Sequence, residues 1–199
     1  MGFALHWAAL KGGNLESICS VFKLRPTGRR EEIPESDIVG VELPTGWSLV
    51  LFHRKTIKDR LLEELSKSGE VVSCFVEEHV MFSTASGWKY GGVTWSAIHD
   101  CNKGLSHLEV EGPAPPAIDE TRQRLLAAQN AGGGEKAEVD YLFDAPVEIA
   151  RQLTGFRHDQ DVPGMTGEVF HVLEPAKESR LSTGAGGLFS RLFGKQGQQ

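Results

Sequence analysis

The feature that most constrains this chain is a glycine pair, Gly91-Gly92, set between two β-rich runs in the stretch 70–111. A Gly-Gly pair flanked by β-formers predicts a two-residue hairpin, because both turn positions accept positive φ without a Cβ clash. With Gly91 and Gly92 as the turn, Tyr90 faces Val93 and Trp88 faces Trp95. The two indoles then form a cross-strand aromatic pair, with Ser86 opposite Ala97 and Thr84 opposite His99. Moving the turn back to Tyr90-Gly91 breaks the tryptophan pair, so the register is open to test. A second turn follows at Asp100-Cys101-Asn102-Lys103-Gly104, and a strand runs from Leu105 to Glu111. The length of that loop decides whether His99 and His107 share a sheet face.

Upstream, residues 3–10 read as a strand. Asn14 caps a helix whose apolar face is Leu15, Ile18, Cys19 and Phe22. Arg25-Pro26-Thr27-Gly28 reads as a turn, and the mixed charges from Arg29 to Asp37 as an exposed loop. Strands at 38–43 and 47–53 flank Pro44-Thr45-Gly46. A helix capped by Thr56 carries Ile57, Leu61, Leu62 and Leu65, and a strand follows at 71–76. The order β-α-β-β-α-β is that of a ferredoxin-like split βαβ. Downstream of the meander come a helix from Ala117 to about Gln129, a glycine-rich loop, and a helix capped by Asp144 with Pro146 in its first turn. A polar loop at 156–166 and a short strand at 169–173 complete it. The reading is one α+β domain over 1–175 with a largely antiparallel sheet, and a flexible Gly/Ser-rich basic tail over 176–199.

The net charge of −6 is unevenly spread. Lys177, Arg180, Arg191 and Lys195 against Glu178 alone give the tail +3 and leave −9 for the body. An acidic body argues against nucleic acid as partner. Three cysteines in no regular spacing fit a reducing compartment, and no apolar run approaches the ~18 residues of a membrane span. The N-terminal stretch has no basic region ahead of an apolar one, so no secretory signal is expected. The expected location is cytoplasmic.

Several groups have chemistry-bearing side chains. Glu77 and His79 share a strand face and form a minimal metal-ligand pair, against the plainer reading of a surface strand end. His99, Asp100 and Cys101 stand together at a turn. A Cys–His nucleophile pair needs an orienting group and a depressed thiol pKa, and no helix N-terminus follows to supply the latter. His158-Asp159 repeats the His-Asp dipeptide, and two such pairs invite a metal-phosphohydrolase reading; the plainer one is a polar loop after a helix. In the tail, Leu188, Phe189, Leu192 and Phe193 form a short apolar motif beside Arg191 and Lys195, suited to a protein partner or a membrane surface. P-loop, GxGxxG, HExxH and GxSxG motifs are absent, as is a zinc ligand set, and no cofactor is expected.

The strings LRPTG at 24–28, LPTGW at 43–47, CFVEEHVMFSTASGW at 74–88, LEVEG at 108–112 and DYLFDAPVEIARQLTGFRHD at 140–159 resemble an uncharacterised family of bacterial proteins of roughly this size. The resemblance implies a bacterial protein and carries over no activity or catalytic residue. The leading functional expectation is therefore a non-catalytic binding or protein-interaction module. The alternatives are a small metal-dependent or acid–base hydrolase using His99, His107, His158 and Asp159, and peripheral membrane attachment through the tail. The enzyme reading requires His99 and His158 to converge in one pocket.

Overall fold

Apolar side chains at both odd and even positions of ALHWAALK mark a strand buried on two faces, and this strand, β1 (Ala4–Lys11), lies inside the sheet. The computed structural model describes residues 2–176. After β1 come α1 (Leu15–Phe22), β2 (Leu24–Glu31), β3 (Ile38–Glu42), β4 (Trp47–His53), α2 (Asp59–Ser66) and β5 (Val71–Glu77). The chain continues with β6 (Phe82–Lys89), β7 (Gly92–Asp100), β8 (Glu109–Glu111), α3 (Ala117–Ala131), α4 (Asp144–Thr154) and β9 (Phe170–Pro175). The fold is α+β. Nine strands form one sheet in the order β2-β9-β3-β4-β1-β5-β6-β7-β8. Every pairing is antiparallel.

Four departures from the sequence reading have physical causes. Residues 24–31, expected as a turn and an exposed loop, form edge strand β2, so the chain order gains a strand between α1 and β3. Only Leu24 of β2 is buried; an edge strand tolerates the arginines, and Pro26 and a bulge before Arg30 blunt the edge. Its partner β9 comes from the far end of the described chain, beyond the reach of local pattern. The hairpin turn is Tyr90-Gly91, with φ of 55° and 79°, as a type I′ turn demands. Trp88 therefore pairs with Val93, and a register shift sets Trp95 opposite Gly87. The indoles end on opposite faces, and Trp95 lies so close over Gly87 that a Cβ there has no room.

The last two departures are local. The strand expected over 105–111 is reduced to Glu109–Glu111, because residues 101–103 form a 3-10 turn. The following loop is held by Glu135, which accepts N–H bonds from Leu105 (2.7 Å) and Ser106 (3.0 Å). Thr56 and Asp144 do not cap: α2 and α4 start behind Lys58 and Phe143, neither of which makes a side-chain cap bond. Asn14 does cap α1, accepting from Ser17 N–H at 2.9 Å.

Helices α1 and α2 cover one face of the sheet, packing Ile18, Leu62 and Leu65 against Ala8, Leu10, Val50 and Val71. On the other face α4 lies over β5, β6 and β7, and α3 packs against α4. The part of that face over β1, β3 and β4 is covered by the irregular segment 156–169, through Phe156, Val162 and Met165. Among the described residues no helix is long and apolar enough to cross a membrane.

Gly87→Val forces the Trp95 indole out of its seat. We expect a loss of about 1–3 kcal/mol in urea unfolding; an unchanged midpoint would mean that the indole is not packed there.

Candidate functional site

The alternation of β1 and β4 puts Phe3, Leu5, Leu51 and His53 on the face that α4 leaves uncovered. Segment 156–169 arches over them and encloses a cavity of about 370 Å³. Its apolar lining comes from Leu5, Leu51, Val162, Met165, Val169 and Phe170, and its polar lining includes His53, Asp159 and Thr166. Its mouth carries Phe3 and Ile33, which are 38% and 65% exposed, together with Glu32 and Asp161. His158 lines the cavity with its side chain only 2% exposed, edge-on to the Phe3 ring at 4.9 Å. Both its ring nitrogens are buried and neither has a hydrogen-bond partner. The nearest carboxylate oxygen, on Glu78, is 4.0 Å away, and Glu78 already accepts the Phe3 N–H at 2.8 Å. Burial pushes the His158 pKa down to about 4, so the ring is neutral at pH 7 with one donor and one acceptor nitrogen.

Arg157 fixes the segment. Its guanidinium, 13% exposed, contacts Asp159 (2.6 Å), Asp144 (2.9 Å) and Glu148 (3.7 Å). Asp159 is thereby turned to arginine rather than to its neighbour imidazole. His53 donates through Nε2 to the Pro34 carbonyl at 2.7 Å, tying the 32–34 loop to the cavity wall. Sequence reasoning missed Phe3, Ile33 and His53. The alternation Trp47, Leu49, Leu51, His53 was the available signal for the last.

His99 lies elsewhere. It is fully buried, with Nδ1 2.7 Å from the His107 carbonyl and Nε2 2.8 Å from Asp140 Oδ2. Both partners are acceptors, so both nitrogens donate and the ring is an imidazolium. Burial by itself lowers its pKa, but the Asp140 hydrogen bond, the His107 carbonyl and the charges of Asp140 and Asp100 outweigh it, and the pKa is raised. Asp140 also accepts the Phe143 N–H at the start of α4. This buried bracket joins β7 to the loop before β8 and to the α3–α4 connection. His107 does adjoin His99, with ring centroids 6.2 Å apart, but its Nδ1 accepts the Asp100 N–H. Three strand spacings separate β7 from β1, roughly 14 Å. His99 does not line the His158 cavity, so the convergence required by the hydrolase reading does not occur.

The remaining candidates are locally occupied. Asp100 accepts from the Asn102 N–H, and the Cys101 thiol donates to the Val80 carbonyl at 3.2 Å. Burial and the neighbouring Asp140 and Asp100 charges raise the Cys101 pKa, the reverse of an activated nucleophile. Glu77 and His79 form an exposed pair at 2.8 Å. No group of three or more metal-ligating side chains occurs among the described residues. The tail motif Leu188, Phe189, Leu192 and Phe193 lies outside the described residues. Two further clefts are less distinctive. The one between α3 and α4, about 450 Å³, is built around the ion pairs of Arg157 and Glu148, and a groove of about 730 Å³ lies between α1 and β2.

Two opposite pH responses follow. His99 holds its proton more tightly folded than unfolded, so its contribution is complete below about pH 6.5 and is lost as pH rises through its raised pKa. His158 and His6, both near 4 when folded, contribute fully above about pH 6.5 and lose that contribution as pH falls toward 4. Stability measured by urea titration should peak near neutrality. Asp140→Asn strands a buried imidazolium and should remove about 3 kcal/mol at pH 6. A flat response across pH 4–8 in both variant and parent would refute these assignments.

Comparison with known proteins supplies no role to inherit: no family model, curated protein or solved structure matches this chain.

Proposed function

We propose that this protein is a non-catalytic binding module whose site is the cavity under segment 156–169. One observation carries the reading: His158 is buried with both ring nitrogens unpaired, in the lining of a cavity where it sits among Leu5, Leu51, Val162, Met165 and Phe170. An unsatisfied buried polar group costs about 1–3 kcal/mol, so native chains pair nearly all of them. The half-buried neutral imidazole of His6 follows that rule. His6 accepts the Ile57 N–H at Nδ1 (2.8 Å), and its Nε2 meets Ser73 Oγ at 2.8 Å. A bound molecule that brings its own polar atom completes His158 in the same way. Cavities of this size, part apolar and with a few fixed polar groups, are the usual form of small-ligand sites. Binding rather than catalysis is favoured because no carboxylate orients the imidazole and Asp159 is committed to Arg157. A cytoplasmic location and a bacterial origin belong to this proposal as expectations drawn from the sequence.

The test separates stability from binding. His158→Phe keeps the ring shape and removes the unpaired nitrogens. It should raise stability by about 1–3 kcal/mol. It should also weaken binding of p-cresol, an aryl ring with one hydroxyl, about tenfold by NMR titration. Met165→Trp, which fills the cavity, should abolish the binding. A stabilised His158→Phe variant that binds p-cresol as the parent does would refute the role given to the imidazole.

A further inference from the structure

Resting on that reading, we infer that the cavity selects an apolar cation: a compact aryl or alkyl body carrying a protonated amine at one end and a hydrogen-bonding group at the other. The inference stands on what lines the site. No lysine or arginine does, and three carboxylates do: Glu32, Asp159 and Asp161. Asp159 is neutralised by Arg157, whose guanidinium is held among Asp144, Glu148 and Asp159 and does not line the cavity. Glu32 and Asp161 are exposed at the mouth, and neither has an ion-pair partner among the described residues.

The lining therefore combines one buried unpaired imidazole, apolar side chains that include the exposed faces of Phe3 and Ile33, and two exposed carboxylates without an ion-pair partner among the described residues. A carboxylate or phosphate ligand would lie against those acids with no cation to receive it. An ammonium at the mouth meets them favourably, while its apolar body displaces water from the walls and its far end reaches the imidazole. Charge at the mouth acts through solvent, so the discrimination is modest in size and falls with salt.

The experiment uses the full chain and three ligands sharing one 4-hydroxyphenyl body. Tyramine is a cation at pH 7, tyrosol is neutral, and 3-(4-hydroxyphenyl)propanoate is an anion. At low salt, calorimetric titration should give tyramine about fivefold tighter than tyrosol, and tyrosol about fivefold tighter than the propanoate. The double variant Glu32→Gln/Asp161→Asn, at two exposed side chains without side-chain hydrogen bonds among the described residues, should bring the three affinities within about twofold of one another. If tyrosol binds but the propanoate matches or exceeds tyramine, or the order survives in the double variant, the charge inference is overturned and the cavity reading stands. If none of the three binds, the cavity reading falls and the inference with it.

Discussion

Strand β1 has to be buried on both faces, and most of the architecture follows from that requirement. Leu5, Trp7 and Ala9 point one way and Ala8 and Leu10 the other, all at most 1% exposed. One sheet cannot hide both sets, so each face needs its own cover. Two helices supply it on one side. On the other, α4 is 11 residues long and reaches only the half of the sheet built from β5, β6 and β7. The half over β3, β4 and β1 is left to residues 156–169, which have no helix or strand. Irregular chain cannot present a continuous apolar ridge, and it packs less completely than a helix would. The cavity sits where helical cover gives way to loop, above the ends of the strands with the most buried residues.

Two buried histidines and the half-buried His6 show how differently one side chain can be accommodated. His6 is neutral and has a partner at each nitrogen. His99 is charged and has an acceptor at each nitrogen. Each links its strand to a loop that would otherwise hang free: His6 to the turn before α2, His99 to the loops on either side of α3. Both are structural, and their hydrogen bonds explain their burial. His158 has the burial without the bonds. Packing alone would be better served there by phenylalanine, since the ring already stacks edge-on with Phe3.

The sequence made the locally encoded features legible. Alternation located the central strands, helical periodicity located four helices, and Asn14 was read correctly as a cap. The failures share one cause, which is partners distant in the chain. LRPTGRRE looks like a loop by itself and becomes a strand only because β9 returns to pair with it. The hairpin turn lies one residue earlier than the Gly-Gly pair, and a register shift between Gly87 and Trp88 then sets Trp95 over the bare backbone of Gly87, a packing arrangement that turn preference does not encode. His158 was picked out for the dipeptide it forms with Asp159, whereas the structure gives Asp159 to Arg157 and leaves the imidazole alone. His99 stands out in the sequence as reactive, but its partner Asp140 lies 41 residues away, beyond the reach of local pattern.

The arrangement around Arg157 bears on whether the cavity exists before anything occupies it. A loop over an apolar space tends to settle onto it, since each buried side chain gains contacts by closing the void. Arg157 opposes this. Its nearly buried guanidinium is gripped by one carboxylate of its own segment and two of α4, so the chain entering the arch cannot sink without breaking charge-assisted bonds. At the opposite rim His53 holds the Pro34 carbonyl and Glu78 holds the Phe3 amide. These ties occupy the polar groups around the cavity and leave the His158 nitrogens without a partner. A site preformed in this way asks little ordering of itself when a ligand enters, so more of the contact energy appears as affinity.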